Sequence, residues 1–310
     1  MDKKGMNNVV LKQDLKELFS NNYKLIALDV DGTLINSNHI LTNRTIRALR
    51  AVKDLGIDIT IATGRHYLSA IRLAQNIPIS APLISSDGAV ISDIYTNETI
   101  YNLLPQDIAV DIVKEASKYK NFRIEVFIED GRISSAKSYR SIFLRRFLKA
   151  PFKYSLKGYY NLLRDFVLIP TKNTADIKAC ISVLEESPAK VVVHGNEKRE
   201  DLRAFVDEII TKYNNKISIT SAIDNCVDVL KGGISKAKGL EILSKKLGIK
   251  PEEIITVGDN INDIEMLEYA GLGVAMGNAS SEVKERADYV TASNNENGLA
   301  KFLELLVLYR

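Results

Sequence analysis

The sequence has no tryptophan, two cysteines and three histidines among its 310 residues. Cys180 and Cys226 are too few for a disulfide framework at this length, and neither sits at a paired metal-ligand spacing. His39, His66 and His194 form no ligand pair by spacing either. No segment approaches the roughly 18 consecutive apolar residues of a membrane span. The N-terminus, MDKKGMNNVVLKQDLKELF, lacks the apolar stretch of about 7–15 residues that a signal peptide carries. The expectation is a cytoplasmic protein with reduced cysteines and no membrane partner. An excess of one charge is also missing. Lys plus Arg total 42 and Asp plus Glu 39, a formal balance of +3 that argues against a dedicated nucleic-acid binder.

What remains is ordinary globular material. Hydrophobic residues are 45% of the chain, enough for a sizeable core, and the length suits two domains. Residues 1–22 read as a short polar helix or arm. Leu25 to Val30 is a continuous apolar run, as in a strand buried on both faces of a parallel sheet. Thr42 to Leu55 has helical periodicity and stops at Gly56; Ile57 to Ala62 is a second strand, Arg65 to Gln75 a helix and Pro82 to Ser85 a third strand. The C-terminal third repeats the rhythm: helix 235–247, strand 253–257, helix 261–270, short strands 273–276 and 289–290, and a closing helix 297–308. Such alternation implies βαβ units with right-handed crossovers. The middle, with strands expected at 124–129, 167–170 and 191–194, is less regular and reads as an inserted α+β domain.

Four segments carry candidate chemistry. Asp29 and Asp31 follow the first strand, lie two apart and precede the Gly32 turn, which suits a hard cation or a polar turn equally. Thr63-Gly64-Arg65 follows the second strand and could hold a phosphate through a hydroxyl and free N–H groups, or simply cap a helix. Lys236 stands at a helix start, where a fixed cation could sit on a transferring phosphoryl group or be solvated. Asp259, Asn262 and Asp263 crowd one loop after the strand IITV; a helix cap accounts for one carboxylate there, not for all three polar groups.

Together the segments DVDGTL, IATGR, GISKAKGL and GDNINDIEML resemble, in order and spacing, the four motifs of the haloacid dehalogenase superfamily, and within it the Cof-type phosphatases. The resemblance implies a doubly wound parallel-sheet, Rossmann-like α/β core at 23–88 and 222–310, with an inserted α+β cap at 89–221. It implies Mg²⁺ as cofactor and a small phosphomonoester, such as a sugar phosphate or a phosphorylated cofactor, as substrate. Asp29 matches the nucleophile and Asp31 the general acid/base. Thr63, Gly64, Lys236 and Asn262 match the phosphate-holding positions. Asp29, the Asp31 main-chain carbonyl and Asp259 match the metal anchors, with Asp263 and Arg65 in support. A phosphomutase, or a phosphometabolite-binding regulator that kept the fold, are the alternatives.

Two features depart from the family's pattern. Asp87, in Ser85-Ser86-Asp87-Gly88-Ala89, puts a carboxylate where an asparagine is usual, and would be either a turn residue or a bar to anionic leaving groups. Lys137 to Arg164 is basic and aromatic; a solvated helix face is the simpler reading, and contact with an anionic substrate, partner or nucleic acid the sharper one. His66, next to Arg65, is a further candidate for the site's edge.

Overall fold

The computed structural model describes residues 18–19, 21–135, 154–221 and 225–310. Strand β1 (Leu25–Leu28) is buried along its whole length and lies between β12 (Ile254–Gly258) and β2 (Asp58–Ile61), parallel to both. β13 (Leu272–Ala275) and β14 (Tyr289–Val290) extend the sheet beyond β12, giving the order β14-β13-β12-β1-β2. Chain order therefore reverses between β1 and β12, and that junction is where an open α/β sheet leaves a crevice.

Helices cover both faces. Helix α1 (Asn43–Asp54) is capped by Thr42, whose hydroxyl accepts from the Thr45 amide, and buries Thr45, Ala48, Leu49 and Val52 along one stripe. It packs beside the closing helix α10 (Gly298–Tyr309). Phe19 belongs to this layer: it is fully buried, and its ring lies 5.8 Å from that of Phe302. The end of the expected polar arm is thus part of the core; residues 1–17 lie outside the described residues.

β3 (Leu83–Ser85) joins β2 through one parallel bridge, Ala62 to Ile84, and pairs antiparallel with β4 (Val90–Ser92), which pairs with β5 (Thr99–Tyr101). The cap proper is a six-stranded sheet in the order β10-β11-β9-β6-β7-β8. Its strands are β6 (Arg123–Ile128), β7 (Gly131–Ser134), β8 (Thr171–Asn173), β9 (Lys190–His194), β10 (Ile217–Thr220) and β11 (Cys226–Lys231). Helices α3 (Gln106–Ala116), α5 (Ile177–Ile181) and α6 (Arg199–Tyr213) cover its apolar face, where Ile112, Cys180 and Phe205 meet Val126, Val191 and Val229. The strands alternate, so Glu125, Phe127, Lys190 and Asp228 point the other way, toward the core.

These pairings move the expected boundaries. β4 and β5 continue the core's β3, so residues 90–101 belong on the core side of a division expected at 88/89. β11 belongs to the cap sheet through β9 and β10, so the return to the core falls after Lys231 rather than at 222. The strand expected at 167–170 is also absent. Helix α4 (Leu156–Leu162) runs into a π-helical turn at Leu163–Val167, and pairing begins only at Thr171, beyond a proline that has no amide to give a ladder. Of the basic stretch 137–164, residues 137–153 lie outside the described residues.

Candidate active site

Asp29 follows β1 directly and is buried. Its carboxylate accepts from Lys236 Nζ at 2.6 Å, and the same ammonium donates to Asp263 at 2.7 Å. Lys236 opens helix α7 (Lys236–Leu247), which Ser235 caps and Gly248 ends in a left-handed turn. The capping fixes where the helix begins and so carries the lysine to the sheet's carboxyl edge. Burial disfavours the charged ammonium, but Asp263 and Asp29 outweigh it and hold Lys236 above its ordinary value.

Asp259 and Asp263 come from the loop after β12. Asp263 Oδ2 accepts from the amides of Asp259 and Asn260, each at 2.9 Å, closing the loop on itself. A Cβ at Gly258 would fall against the side chain of Asp263, so only glycine allows this turn. Asp259 points back across the crevice and accepts from Thr33 Oγ1 at 2.9 Å and Asn278 Nδ2 at 3.1 Å. Gly32, at φ +92°, packs onto that carboxylate with no room for a Cβ.

Carboxylate oxygens of Asp29, Asp259 and Asp263 lie within 4.8 Å of one another. Burial and mutual repulsion raise the carboxyl of Asp29 well above its ordinary range, despite Lys236, and push that of Asp259 up to about 7. Three acids facing a single lysine make a site whose charge a hard divalent cation would balance. The oxygen donors suit Mg²⁺, which takes few carboxylates and keeps several waters. Asp263 joins the cluster expected from Asp29 and Asp259, yet both its oxygens already accept hydrogen bonds. The Asp31 carboxylate is not in the cluster: Arg65 Nε and Nη2 hold its two oxygens at 2.7 Å each.

Arg65 in turn is buried and donates at 3.2 Å to Asp165 on the cap's π turn, with its guanidinium 4.7 Å from the Phe166 ring. Asp165 and Phe166 carry no motif; the only trace is that the basic stretch ends beside an acid. Thr63 accepts from the Arg65 amide at 3.2 Å, and Gly64 stacks against the Asp87 carboxylate. Thr63 is not the helix cap. That role falls to His66, whose Nδ1 accepts from the Leu68 amide, so α2 (Tyr67–Ala74) starts two residues later than expected. His66 Nε2 meets the cap carbonyl of Ile128 at 2.8 Å, a structural link between cap and core. Asn262 donates to Asp87 at 3.2 Å, and its buried Oδ1 has no hydrogen-bond partner among the described residues. The fold thus brings Asp29, Asp31, Thr63, Gly64, Arg65, Lys236, Asp259, Asn262 and Asp263 to one crevice from four segments of the chain. Beyond it, Tyr154 stacks edge-on to His39 and Asn161 donates to the His39 carbonyl at 2.7 Å, which lays the end of the basic stretch on the core.

A parallel sheet with acids at its switch point and a lid of separate topology is the architecture of a capped phosphoryl-transfer hydrolase. The model of the haloacid dehalogenase-like hydrolases matches residues 26–303. A Bacillus subtilis 5-amino-6-(5-phospho-D-ribitylamino)uracil phosphatase is 30% identical over 92% of this chain and 96% of its own. A haloacid dehalogenase-like hydrolase from B. subtilis superposes with a TM-score of 0.77 at 28% identity, covering 91% of this chain and 99% of that one. A sugar phosphatase of subclass IIB in the same superfamily superposes at 0.69 with 26% identity, covering 91% and 98%. The chain belongs to the haloacid dehalogenase-like hydrolases. Several of its relatives are named phosphatases, and it is an enzyme of that kind. Among the described residues no helix is long and apolar enough to cross a membrane.

Proposed function

We propose that this chain hydrolyses a small phosphomonoester in two displacements at Asp29. The observation that carries the reading is Lys236 Nζ, 2.6 Å from the Asp29 carboxylate in a crevice that also gathers Asp259, Asn262 and Asp263. In the first step an Asp29 oxygen attacks phosphorus, the bond to the leaving oxygen breaks, and Asp31 gives that oxygen a proton. In the second, Asp31 takes a proton from water, the water oxygen attacks phosphorus, and orthophosphate leaves with Asp29 restored. Lys236 offsets charge on the equatorial oxygens, while Thr63, Gly64 and Asn262 hold the phosphoryl group. Mg²⁺, held by Asp29, Asp259 and the Asp31 carbonyl, would neutralise the charge that opposes approach of a carboxylate to a phosphate.

Arg65 orients Asp31 and favours its ionised form, the one the second step needs. To take up a proton for the first step, Asp31 gives up one of its two bonds to Arg65, and Asp165 keeps the guanidinium in place meanwhile. Related proteins act on a ribitylamino-uracil phosphate and on sugar phosphates, which supports a phosphorylated polyol or sugar as the substrate class.

The test is phosphate release from a panel holding both classes, with and without Mg²⁺, for wild type and Asp29→Asn. Release that requires Mg²⁺ and is lost in the variant is expected. An Asp29→Asn enzyme with near-normal turnover would sink the mechanism. Isomerised phosphoester without phosphate release would mark a phosphomutase instead.

A further inference from the structure

The cap sends one side chain into the phosphate end of the crevice. Lys190, on the core-facing side of β9, is 2% exposed. Its ammonium donates to Asp87 Oδ2 at 2.8 Å, to Asp228 Oδ2 at 2.6 Å and to the carbonyl of Gly64 at 2.8 Å, and lies 5.0 Å from the Phe127 ring. Every proton of the ammonium is used, and two of its three acceptors belong to the core.

Asp87, which the sequence leaves as either a turn residue or a bar to anionic leaving groups, is not a solvated turn residue. It is 1% exposed, held at φ 54° after Ser86 at φ 49°, with its second oxygen on the Asn262 amide. It therefore borders two groups assigned to phosphate, Gly64 and Asn262. Burial would raise its carboxyl, but Lys190 and Lys236 outweigh that and hold it below its ordinary value. A bare carboxylate in this position would repel a phosphate dianion.

We propose that Asp87 and Lys190 are a charge-compensated pair in which the cap's lysine cancels the core's extra acid, making phosphate affinity depend on a cap residue. The inference rests on the reading of this crevice as a phosphate site. Lys190 is a positioning residue: it acts on phosphate through Asp87 and Gly64. Asp228 keeps the lysine aimed when the pair is challenged, because a buried ammonium with one remaining carboxylate stays charged and fixed.

A pair that merely holds cap to core would weaken binding whichever partner is removed. A compensated pair responds in opposite directions. The measurement is the dissociation constant of orthophosphate, with Mg²⁺ present, for wild type, Asp87→Asn, Lys190→Gln and the double variant. Lys190→Gln uncovers the Asp87 charge and weakens binding at least about tenfold. Asp87→Asn, whose asparagine tolerates the left-handed backbone, removes the carboxylate that borders the phosphate groups while Asp228 still holds the lysine at 2.6 Å, and tightens binding about threefold. The double variant returns to within about threefold of wild type, a non-additivity expected only of coupled groups. Weakening in both single variants, or unchanged affinity in Asp87→Asn, overturns the pair. If Lys190→Gln does not fold, the tightening in Asp87→Asn decides alone. A wild-type chain that binds no orthophosphate and releases none overturns the phosphatase reading and the pair with it. Wild-type binding and turnover with same-sign variants overturns the pair only.

Discussion

Arg65 grips both carboxylate oxygens of Asp31, each at 2.7 Å, from a buried position where its remaining amino group meets Asp165 at 3.2 Å. Lysine lacks the planar fork that holds both Asp31 oxygens side by side while a further amino group reaches Asp165. Loss of a charged hydrogen bond costs about 1.5–3 kcal/mol, so Arg65→Lys should lower kcat roughly 10–100-fold with a smaller change in KM. Steady-state kinetics at saturating Mg²⁺ check this. A variant with wild-type kcat would show that Asp31 needs no orientation from Arg65.

Asp165 should act differently. It is held by Arg164 Nε at 2.5 Å, and neighbouring carbonyls of the same turn, those of Arg164 and Leu168, accept from Arg72 on α2. The π turn therefore docks through several contacts, and Asp165→Asn should leave the fold intact. It removes the second anchor of Arg65, so we expect a kcat loss of about tenfold that Asp165→Glu partly restores. Equal loss in Asn and Glu variants would point to packing of the turn instead.

Much of this was legible in the sequence, for identifiable reasons. β1 is an uninterrupted apolar run and β12 one broken only by the buried Thr256, each closed by an acid, and both were placed to within a residue or two, because a strand buried on both faces offers few polar positions to blur it. The crevice residues come from turns that only particular residues can make, such as Gly32 and Gly258. The cap was harder. Val167 to Pro170 reads as a strand, yet Val167 ends a π turn fixed by Arg65 and Arg72, contacts made more than 90 residues away in sequence. β11 reads as core because it leads into the GISK motif, and only its pairing with β9 places it in the cap. Phe19 sits in a polar segment, and nothing local marks it as core.

Phe19 gives a stability prediction. Its ring is fully buried and lies 6.2 Å from those of Tyr289 and Tyr309 as well as beside Phe302. Truncating a buried phenylalanine costs about 3–5 kcal/mol through lost transfer energy and the cavity left behind. Phe19→Ala should lower the unfolding free energy extrapolated from urea melts by that amount while leaving kcat unaffected, because the aromatic cluster lies away from the crevice. A shift below about 1 kcal/mol would mean that this ring contributes little to the core.

His194 supplies a pH dependence. Burial lowers its imidazole, but hydrogen bonds to Cys226 and Glu125 outweigh this and push the value up to about 10. Glu125 also pairs with Arg132 at 3.2 Å, and Asp228 lies on the same face. A folded value above the unfolded one means that the charged imidazole stabilises fully below about pH 6.5. That stability drains as pH rises toward 10, at about 1.4 kcal/mol per pH unit. Urea unfolding between pH 7 and 9 should therefore be steeper in pH for wild type than for His194→Gln. Identical slopes would show that the imidazole is not charged in the folded protein.

Gly32 is the sharpest test of the metal end of the crevice. At φ +92° it adopts a backbone that disfavours other residues, and a Cβ there would overlap the Asp259 carboxylate. Gly32→Ala must push Asp259 away from Thr33 and Asn278, the two groups that aim it. The strain is local and the sheet beneath it is unchanged, so circular dichroism should stay native. The Mg²⁺ concentration for half-maximal activity should rise at least about tenfold, and kcat/KM at low Mg²⁺ should fall by about a hundredfold or more. If the alanine variant kept the wild-type Mg²⁺ requirement, Asp259 would not be a metal anchor. Asp29, Asp263 and the Asp31 carbonyl would then be left to hold the ion with solvent.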